Sequence, residues 1–489
     1  MSTEELGPWE PLTVDKTVEL FRSANFRWWI AGGLALQTHF ESAWRSHDDT
    51  DIGILRGDAP RLYSFLKGWD IHIAANGILT PWLGQRLDDR SDLAGNNLWC
   101  RRRPDGPWEL DILIGDGDAD DWIYRRNTKL RRPWFDAVLT SNDDIPYLAP
   151  DLQLLFKSKE PRPKDDVDAA TVIPKLQARR RTWLAHQLPP THPWQTIIAG
   201  ARAEQVARPV SSSTAKMNHL ASGRSSQAWY TADENQERVI RVPIPNSGRL
   251  PSYRSEALIG ELLADRGHPV SQWQTQTVDD VECTIGTMLE GNPSDYDTEW
   301  TSSFVDRLAA ILRDLHALPT HGWGPLENRN DRLQGSSTTE NEGIIDRWFH
   351  GQMWPFEGSD LLTHPLARLE PDIATVIARQ RDAILAASRG PYGLVHSDLH
   401  KEHLLQIDAE LTGVLDFGAA FIGSTAWDFA LIHWYYGAQN TLRVARSYGS
   451  GSYLTERAAL LAVAVGCYKV AKSPHDPTPM ARLQKLQSD

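Results

Sequence analysis

The chain has 489 residues, enough for two or more domains that each bury a core without disulfide or metal staples. Its net charge of −13 argues against a general nucleic-acid binder and suits a cationic small molecule, which an acidic cleft would concentrate. Cys100, Cys283 and Cys467 show no CxxC spacing, the N-terminus has no basic-then-apolar signal, and apolar stretches such as residues 460–467 are too short to span a bilayer, so the expectation is a cytoplasmic protein without disulfides, zinc knuckle, membrane or nucleic-acid partner.

In chain order, the apolar run 28–31 ends in Gly32-Gly33, and residues 34–40 read as a helix beginning where glycines let backbone N–H groups approach an anion. In the following Arg45-Ser-His47-Asp-Asp49-Thr-Asp51, strand alternation puts Asp49 and Asp51 on one face, where they repel unless a cation lies between them. The alternative is a solvated turn. Residues 108–114 form another strand, on which Glu109 and Asp111 compete to supply a third carboxylate. The run 116–121 imitates a calcium loop, but Asp121 stands where Gly is needed and Asn127 where Glu is needed. Arg101–Arg103 and Arg179–Arg181 read as solvated faces. A leucine-rich helix follows Pro150, with Lys157 or Lys159 within reach of phosphates, while Lys164, Asp165 and Asp168 either join a site or cap the next helix.

The order Gly-Gly, Arg-x-His-Asp-Asp-x-Asp, then a Leu-Asp-Ile-Leu strand resembles the nucleotidyltransferase superfamily, and within it the aminoglycoside nucleotidyltransferases. The resemblance implies an N-terminal domain over residues 1–190 with a mixed sheet flanked by helices. In it Gly32, Gly33 and Arg45 bind the nucleotide, Asp49, Asp51 and Asp111 hold Mg²⁺, and Asp111 is also catalytic.

Residues 191–216, with Pro-Pro, an alanine-rich helix and Ser-Ser-Ser, read as a linker. Residues 220–242 then read as three strands joined by turns. Phe304, Leu308, Ile311, Leu312 and Leu315 recur at helical spacing, with Ser303 and Asp306 offering a capping box. Residues 340–390 read as helical and Trp-bearing. Residues 404–407 and 413–415 read as strands joined by Asp-Ala-Glu; their pairing brings Asp398 beside Asp416, one able to accept a hydroxyl proton and the other to hold Mg²⁺. The spacing His396-x-Asp398-x-His400-x-x-His403 matches no zinc pattern, and His396 and His400 read as structural.

His396-Ser-Asp398-Leu-His400-Lys-Glu-His403 followed by Leu-Asp416-Phe-Gly418 resembles the catalytic and metal loops of the aminoglycoside phosphotransferase family, relatives of the protein kinases, whose pattern is H-G-D-x-x-x-x-N then I-D-F/W-G. The resemblance implies a bilobal protein-kinase-like fold over residues 217–489, with a small lobe to about residue 290. Asp398 becomes the base and Asp416 the Mg²⁺ ligand. His403 takes the second-metal position, where the family has Asn and the related macrolide phosphotransferases have His. Ser397 in place of Gly asks the backbone to avoid a positive φ. Ser222, Gly223, Arg224, Ser225 and Ser226 fall at the phosphate loop, Arg241 and Glu256 at the phosphate-binding cation and its partner, and residues 288–291 at the hinge. Asp428 matches a residue that ties down the catalytic loop, or is a helix N-terminal carboxylate. His316 is core, and Glu340, Glu342, Asp346 and Glu357 are placed to face amines.

The fold class expected is therefore α/β and α+β, a fusion of two transferases using Mg²⁺ and ATP or GTP on a small-molecule acceptor, with amine-bearing antibiotics indicated by both resemblances. The alternatives are that one domain is a binding or regulatory module, or that the kinase acts on a macrolide or an amino-alcohol metabolite.

Overall fold

The computed structural model describes residues 6–75, 77–87, 97–209, 216–223, 225–232, 236–247, 251–297, 299–343 and 364–488. The chain divides into two compact units, Met1–Ala201 and Arg202–Asp489.

The first unit is built on a mixed sheet. Strand Trp28–Ile30 pairs antiparallel with Asp51–Leu55 and parallel with Pro146–Leu148, and Asp51–Leu55 runs parallel to Leu110–Gly117. Strands Asn97–Arg101, Asp70–Ala75 and Ile78–Pro81 extend the sheet outward by antiparallel pairing. Its central strands are covered on both faces: Ile30, Ile52, Ile54, Ile112 and Ile114 are buried on one, and Trp29, opposite Gly53, is buried on the other. The Gly in Asp-Ile-Gly-Ile-Leu has a packing reason, since a Cβ on Gly53 would fall 2.1 Å from the Trp29 ring. Among the flanking helices are Gly32–Phe40, Pro150–Lys157, Pro163–Val172 and Ala178–Gln187.

Three sequence expectations change here. The strand begins at Asp51, so Asp49 stands in the loop before it instead of sharing its face. Arg180 and Arg181 are buried, not solvated; Arg180 and Arg132 each donate to the fully buried Asp151 at 2.6 Å. The linker expected over 191–216 contains the helix Trp194–Ala207, whose Trp194 and Ile198 join the first unit's core; residues 210–215 lie outside the described residues.

The second unit opens with an antiparallel sheet in the order Lys216–Ser222, Ser226–Ala232, Glu237–Pro243, Val281–Thr287, Trp273–Val278, accompanied by helix Tyr253–Ala264. Its larger part is helical. Ser302–His316 buries Phe304, Leu308, Ile311, Leu312 and Leu315 and packs against Ala426–Tyr448, which packs in turn against Gly451–Lys472, forming the main core. That first helix is capped by Thr301, whose Oγ1 accepts the Phe304 N–H at 3.0 Å, and not by Ser303. Strand Leu404–Ile407 pairs with Glu410–Val414, which starts three residues earlier than expected because Asp408 and Ala409, at φ 50° and 62°, close a two-residue turn. All three cysteines are buried and unpaired, and several tryptophans, Trp82, Trp122, Trp300 and Trp427 among them, are core residues. Among the described residues no helix is long and apolar enough to cross a membrane.

Candidate active sites

In the second unit the loop carrying Asp398 is fastened from below. Asp428, buried in the first turn of helix Ala426–Tyr448, accepts the N–H groups of His396 at 2.9 Å and Ser397 at 2.7 Å. Its Oδ2 also lies 3.0 Å from His316 Nε2, whose Nδ1 meets the Tyr448 hydroxyl at 3.0 Å. A buried carboxylate with three donors is a tie, more than a helix-terminal charge. Ser397 sits at φ +62°, contrary to the expectation that a non-glycine residue here would avoid the left-handed region. Its hydroxyl donates to the Ala419 carbonyl at 2.6 Å, which with the Asp428 bond holds the strained conformation. His396 is structural, bonding the Leu415 carbonyl at 2.8 Å.

Above this base, His403 stands between the two aspartates. Its Nδ1 donates to the Asp398 carbonyl at 2.7 Å, and its Nε2 lies 3.5 Å from Asp416 Oδ2. His400 Nε2 and His403 Nδ1 each lie 3.8 Å from Asp398 Oδ2. Asp398, His400 and His403 thus offer ligand atoms within 4.8 Å of one another, a grouping the sequence spacing did not point to. Burial alone would raise the pKa of Asp398, but His403, His400 and Lys469 together hold it below the usual carboxylate value. Burial, then His403, pulls His400 down to about 4. Asp416, at φ +59°, accepts the Gly418 N–H at 3.1 Å; burial opposes its charge, and His403 and Arg241 more than offset that.

Arg241 donates to Glu256, buried on helix Tyr253–Ala264, lies 3.6 Å from Asp416, and stacks 4.3 Å from the Trp273 ring. Burial opposes its charge, yet Glu256 and Asp416 raise its pKa overall. Gly223, Ser225, Ser226, Arg241, Glu256, Asp398, His403 and Asp416 all line one cavity of about 880 Å³; Arg224 lies outside the described residues. Residues 288–291 are not among its lining, and the Glu290 carbonyl expected at a hinge accepts from the Thr412 hydroxyl at 2.8 Å. Glu340 bonds the Tyr392 hydroxyl and Glu342 the Thr338 hydroxyl, and neither lines the cavity; Asp346 and Glu357 lie outside the described residues. Sequence reasoning missed Trp273, Tyr435, Lys469 and Lys472, of which only the two lysines carried a signal, an i, i+3 pair on one helix face.

In the first unit Asp51 and Asp111 are directly opposite each other in the parallel pairing. Asp111 Oδ2 accepts from Asn97 at 2.9 Å, while its buried Oδ1 has no hydrogen-bond partner among the described residues. Burial, reinforced by Asp49, pushes Asp51 up to about 7, and burial with Asp51 raises Asp111 well above its usual value. Two facing carboxylates with an orphaned oxygen fit a divalent cation. Glu109 loses the competition: it precedes the strand and pairs with Arg102 at 3.0 Å.

The nucleotide-binding expectations for this unit are altered by engagement. The Gly32 N–H donates to Gln153 Oε1 at 2.9 Å, and Gly32 is required for space, since a Cβ there would lie 1.8 Å from Asp51 Oδ2. Gly33 is pressed against Arg45 and His47. Arg45 Nε and Nη2 each donate to Asp168 at 2.8 Å, so its fork is filled by a carboxylate. Lys157 bridges Asp165 at 2.5 Å and Asp168 at 3.1 Å, and Asp165 also caps its own helix. Asn97 and Gln153 are the supporting residues the sequence did not reveal; a lone amide carries no pattern.

Residues 216–461 match the family described as the phosphotransferase enzyme family, a match that leaves the first 215 residues outside it. Among solved structures, the chain is 15% identical to a thermostable mutant of aminoglycoside phosphotransferase APH(4)-Ia in ternary complex with AMP-PNP and hygromycin B, with a TM-score of 0.42 over 58% of this chain and 96% of that one. It is 14% identical to the streptomycin-ATP complex of APH(2")-IIa, with a TM-score of 0.38 over 58% and 95%. It is 16% identical to the GDP and kanamycin complex of APH(2")-IIia, with a TM-score of 0.41 over 58% and 96%. No curated protein matches the chain.

Proposed function

Because the chain belongs to the phosphotransferase enzyme family, we propose that its second unit transfers the terminal phosphoryl group of ATP or GTP to a hydroxyl of a small molecule. The observation that carries this reading is the placing of Asp398 and Asp416 on either side of His403, in one cavity with the Arg241–Glu256 pair. Asp398, ionised at neutral pH, takes the proton of the acceptor hydroxyl as its oxygen bonds to phosphorus and the nucleoside diphosphate leaves. Arg241 binds phosphate oxygens, and Glu256 aims it. Asp416 and His403 Nε2 are the donors for a divalent cation, which supplies charge neutralisation on the phosphates; an imidazole in the set favours Mn²⁺ over Mg²⁺ more than an amide oxygen would. Asp428 positions the loop without touching substrate.

The first unit is read as a nucleotidyltransferase that moves a nucleoside monophosphate to a hydroxyl, with Asp51 and Asp111 as the metal-holding pair, Asp49 contributing charge, and Asp111 as the base. The facing of Asp51 and Asp111, with one oxygen orphaned, supports this. Amine-bearing antibiotics of the aminoglycoside type are the acceptors to which the sequence resemblance points. Mass spectrometry of aminoglycosides and macrolides incubated with protein, divalent cation and ATP or GTP tests both halves. The expected result is a phosphate adduct lost in Asp398→Asn and a nucleotide adduct lost in Asp51→Asn; a phosphate adduct that survives Asp398→Asn sinks the assignment of the base.

A further inference from the structure

The Arg241–Glu256 pair makes one bond where its groups could make two. A guanidinium and a carboxylate that meet side-on form a fork of parallel hydrogen bonds, which fixes the plane of both. Here only Arg241 Nη2 donates, to Glu256 Oε2. Arg241 Nε and Glu256 Oε1, the atoms a second bond would use, are both buried and have no hydrogen-bond partner among the described residues. Asp416 Oδ1 lies 3.6 Å from Nη1, beyond hydrogen-bond reach. A single bond fixes a point and leaves the guanidinium plane free to tilt.

Aromatic rings limit that tilt. The guanidinium carbon lies 4.3 Å from the centre of the Trp273 ring and 5.2 Å from that of Tyr253. Tyr253 and Glu256 are three residues apart on helix Tyr253–Ala264, so one helix face supplies both a ring and the carboxylate. Trp273 comes from the edge strand Trp273–Val278, where it stands opposite Gly286. Two residues before Gly286, Thr284 stands opposite Arg241. The period of two therefore puts Trp273, Gly286, Thr284 and Arg241 on one face of the sheet. A Cβ on Gly286 would fall 2.6 Å from the Trp273 ring, so the glycine opens the space across which the indole reaches Arg241. Trp273 is half-buried, is not part of the main core, and does not line the cavity that Arg241, Tyr253 and Glu256 line. It can act on a bound phosphate only through Arg241.

Resting on the phosphotransferase reading above, we infer that Trp273 is a positioning residue for the phosphate-binding cation: its indole fixes the plane of the Arg241 guanidinium, so that the N–H groups Glu256 does not engage are held toward the nucleotide's phosphate oxygens. A lysine at this position would need no such wall, because an ammonium has no plane to align.

The test uses the full chain with Mg²⁺ and calorimetric titration of ADP and of adenosine, which lacks the phosphates. Wild type is expected to bind ADP more tightly than adenosine. Trp273→Leu lowers ADP affinity about tenfold and leaves adenosine affinity unchanged, and Trp273→Phe, which keeps a ring, restores most of the loss. In an Arg241→Lys background, Trp273→Leu changes ADP affinity by less than about twofold. Thermal melts check that each variant is folded, with Trp273→Met replacing Trp273→Leu if the latter is not. Equal losses for ADP and adenosine, a Trp273→Phe variant no better than Trp273→Leu, or a loss that persists beside Arg241→Lys would overturn the inference. A wild type that does not tell ADP from adenosine sinks the phosphotransferase reading and the inference with it; a wild type that does, with Trp273→Leu unchanged, sinks the inference alone.

Discussion

Ser397 shows how much of a catalytic loop is decided by single atoms. A non-glycine residue at φ +62° costs about 1 kcal/mol or more, and the Oγ bond to Ala419 offsets part of it. Ser397→Ala keeps the strain and loses the bond, so it should destabilise by about 1 kcal/mol; Ser397→Gly loses the bond but relieves the strain, and should be the milder change in urea unfolding. The reverse order would mean that the hydroxyl is not what holds the turn. Asp165 makes a pH prediction. Burial opposes its ionisation, but Arg162 and Lys157 bring it down to about 2. A depressed carboxylate contributes stability that is complete above the ordinary value near 4 and is lost as pH falls through about 2. Asp165→Asn should therefore flatten the acid limb of a stability-versus-pH curve between those values and leave its slope above pH 5 unchanged. Asp398, Asp416, Arg241 and Glu256 were singled out through the resemblance of the surrounding motifs to the phosphotransferase family, and the structure brings all four to one cavity. Trp273 and Asn97 were not, because their roles come from elements distant in sequence meeting at one point.

At the scale of elements, the parallel register decides the first unit's chemistry. Sequence alternation paired Asp49 with Asp51 along one strand, whereas the pairing that forms is across strands, Asp51 with Asp111. Alternation says which face a residue occupies but not where the strand begins, and Asp49 falls just outside it. Two carboxylates facing each other, Asp111 buried and Asp51 partly so, repel, so Asp111→Asn should raise thermal stability in a chelator, by on the order of 1 kcal/mol, while abolishing the stabilisation that Mn²⁺ gives wild type. Loss of stability in the chelator would show that the pair is not strained without a cation. The charged run at residues 179–181 failed for a related reason: composition reads arginines as solvated, but Arg180 and Arg132 converge on Asp151, and a buried carboxylate requires such partners.

For the whole molecule, a nucleotide that binds only the folded second unit must stabilise it. ADP with Mg²⁺ at a hundred times its dissociation constant should add about 2.7 kcal/mol, and Asp416→Ala should remove most of that gain in a thermal melt. An unchanged gain in the variant would separate the nucleotide from Asp416. By itself the sequence determined the family of the second half, the three-strand start, the amphipathic helix of residues 302–316 and the two loops bearing Asp398 and Asp416. These follow from local periodicity, turn residues and fixed spacing, which any stretch of chain carries within itself. Only the tertiary structure decided that Gly32 leaves room for Asp51 and gives its N–H to Gln153, that the Arg45 fork is filled by Asp168, and that Lys469 lies near enough to Asp398 to favour its charge. Those outcomes depend on which side chains from distant segments share one small volume, where charge, burial and hydrogen-bond supply are settled jointly and no single segment encodes the result.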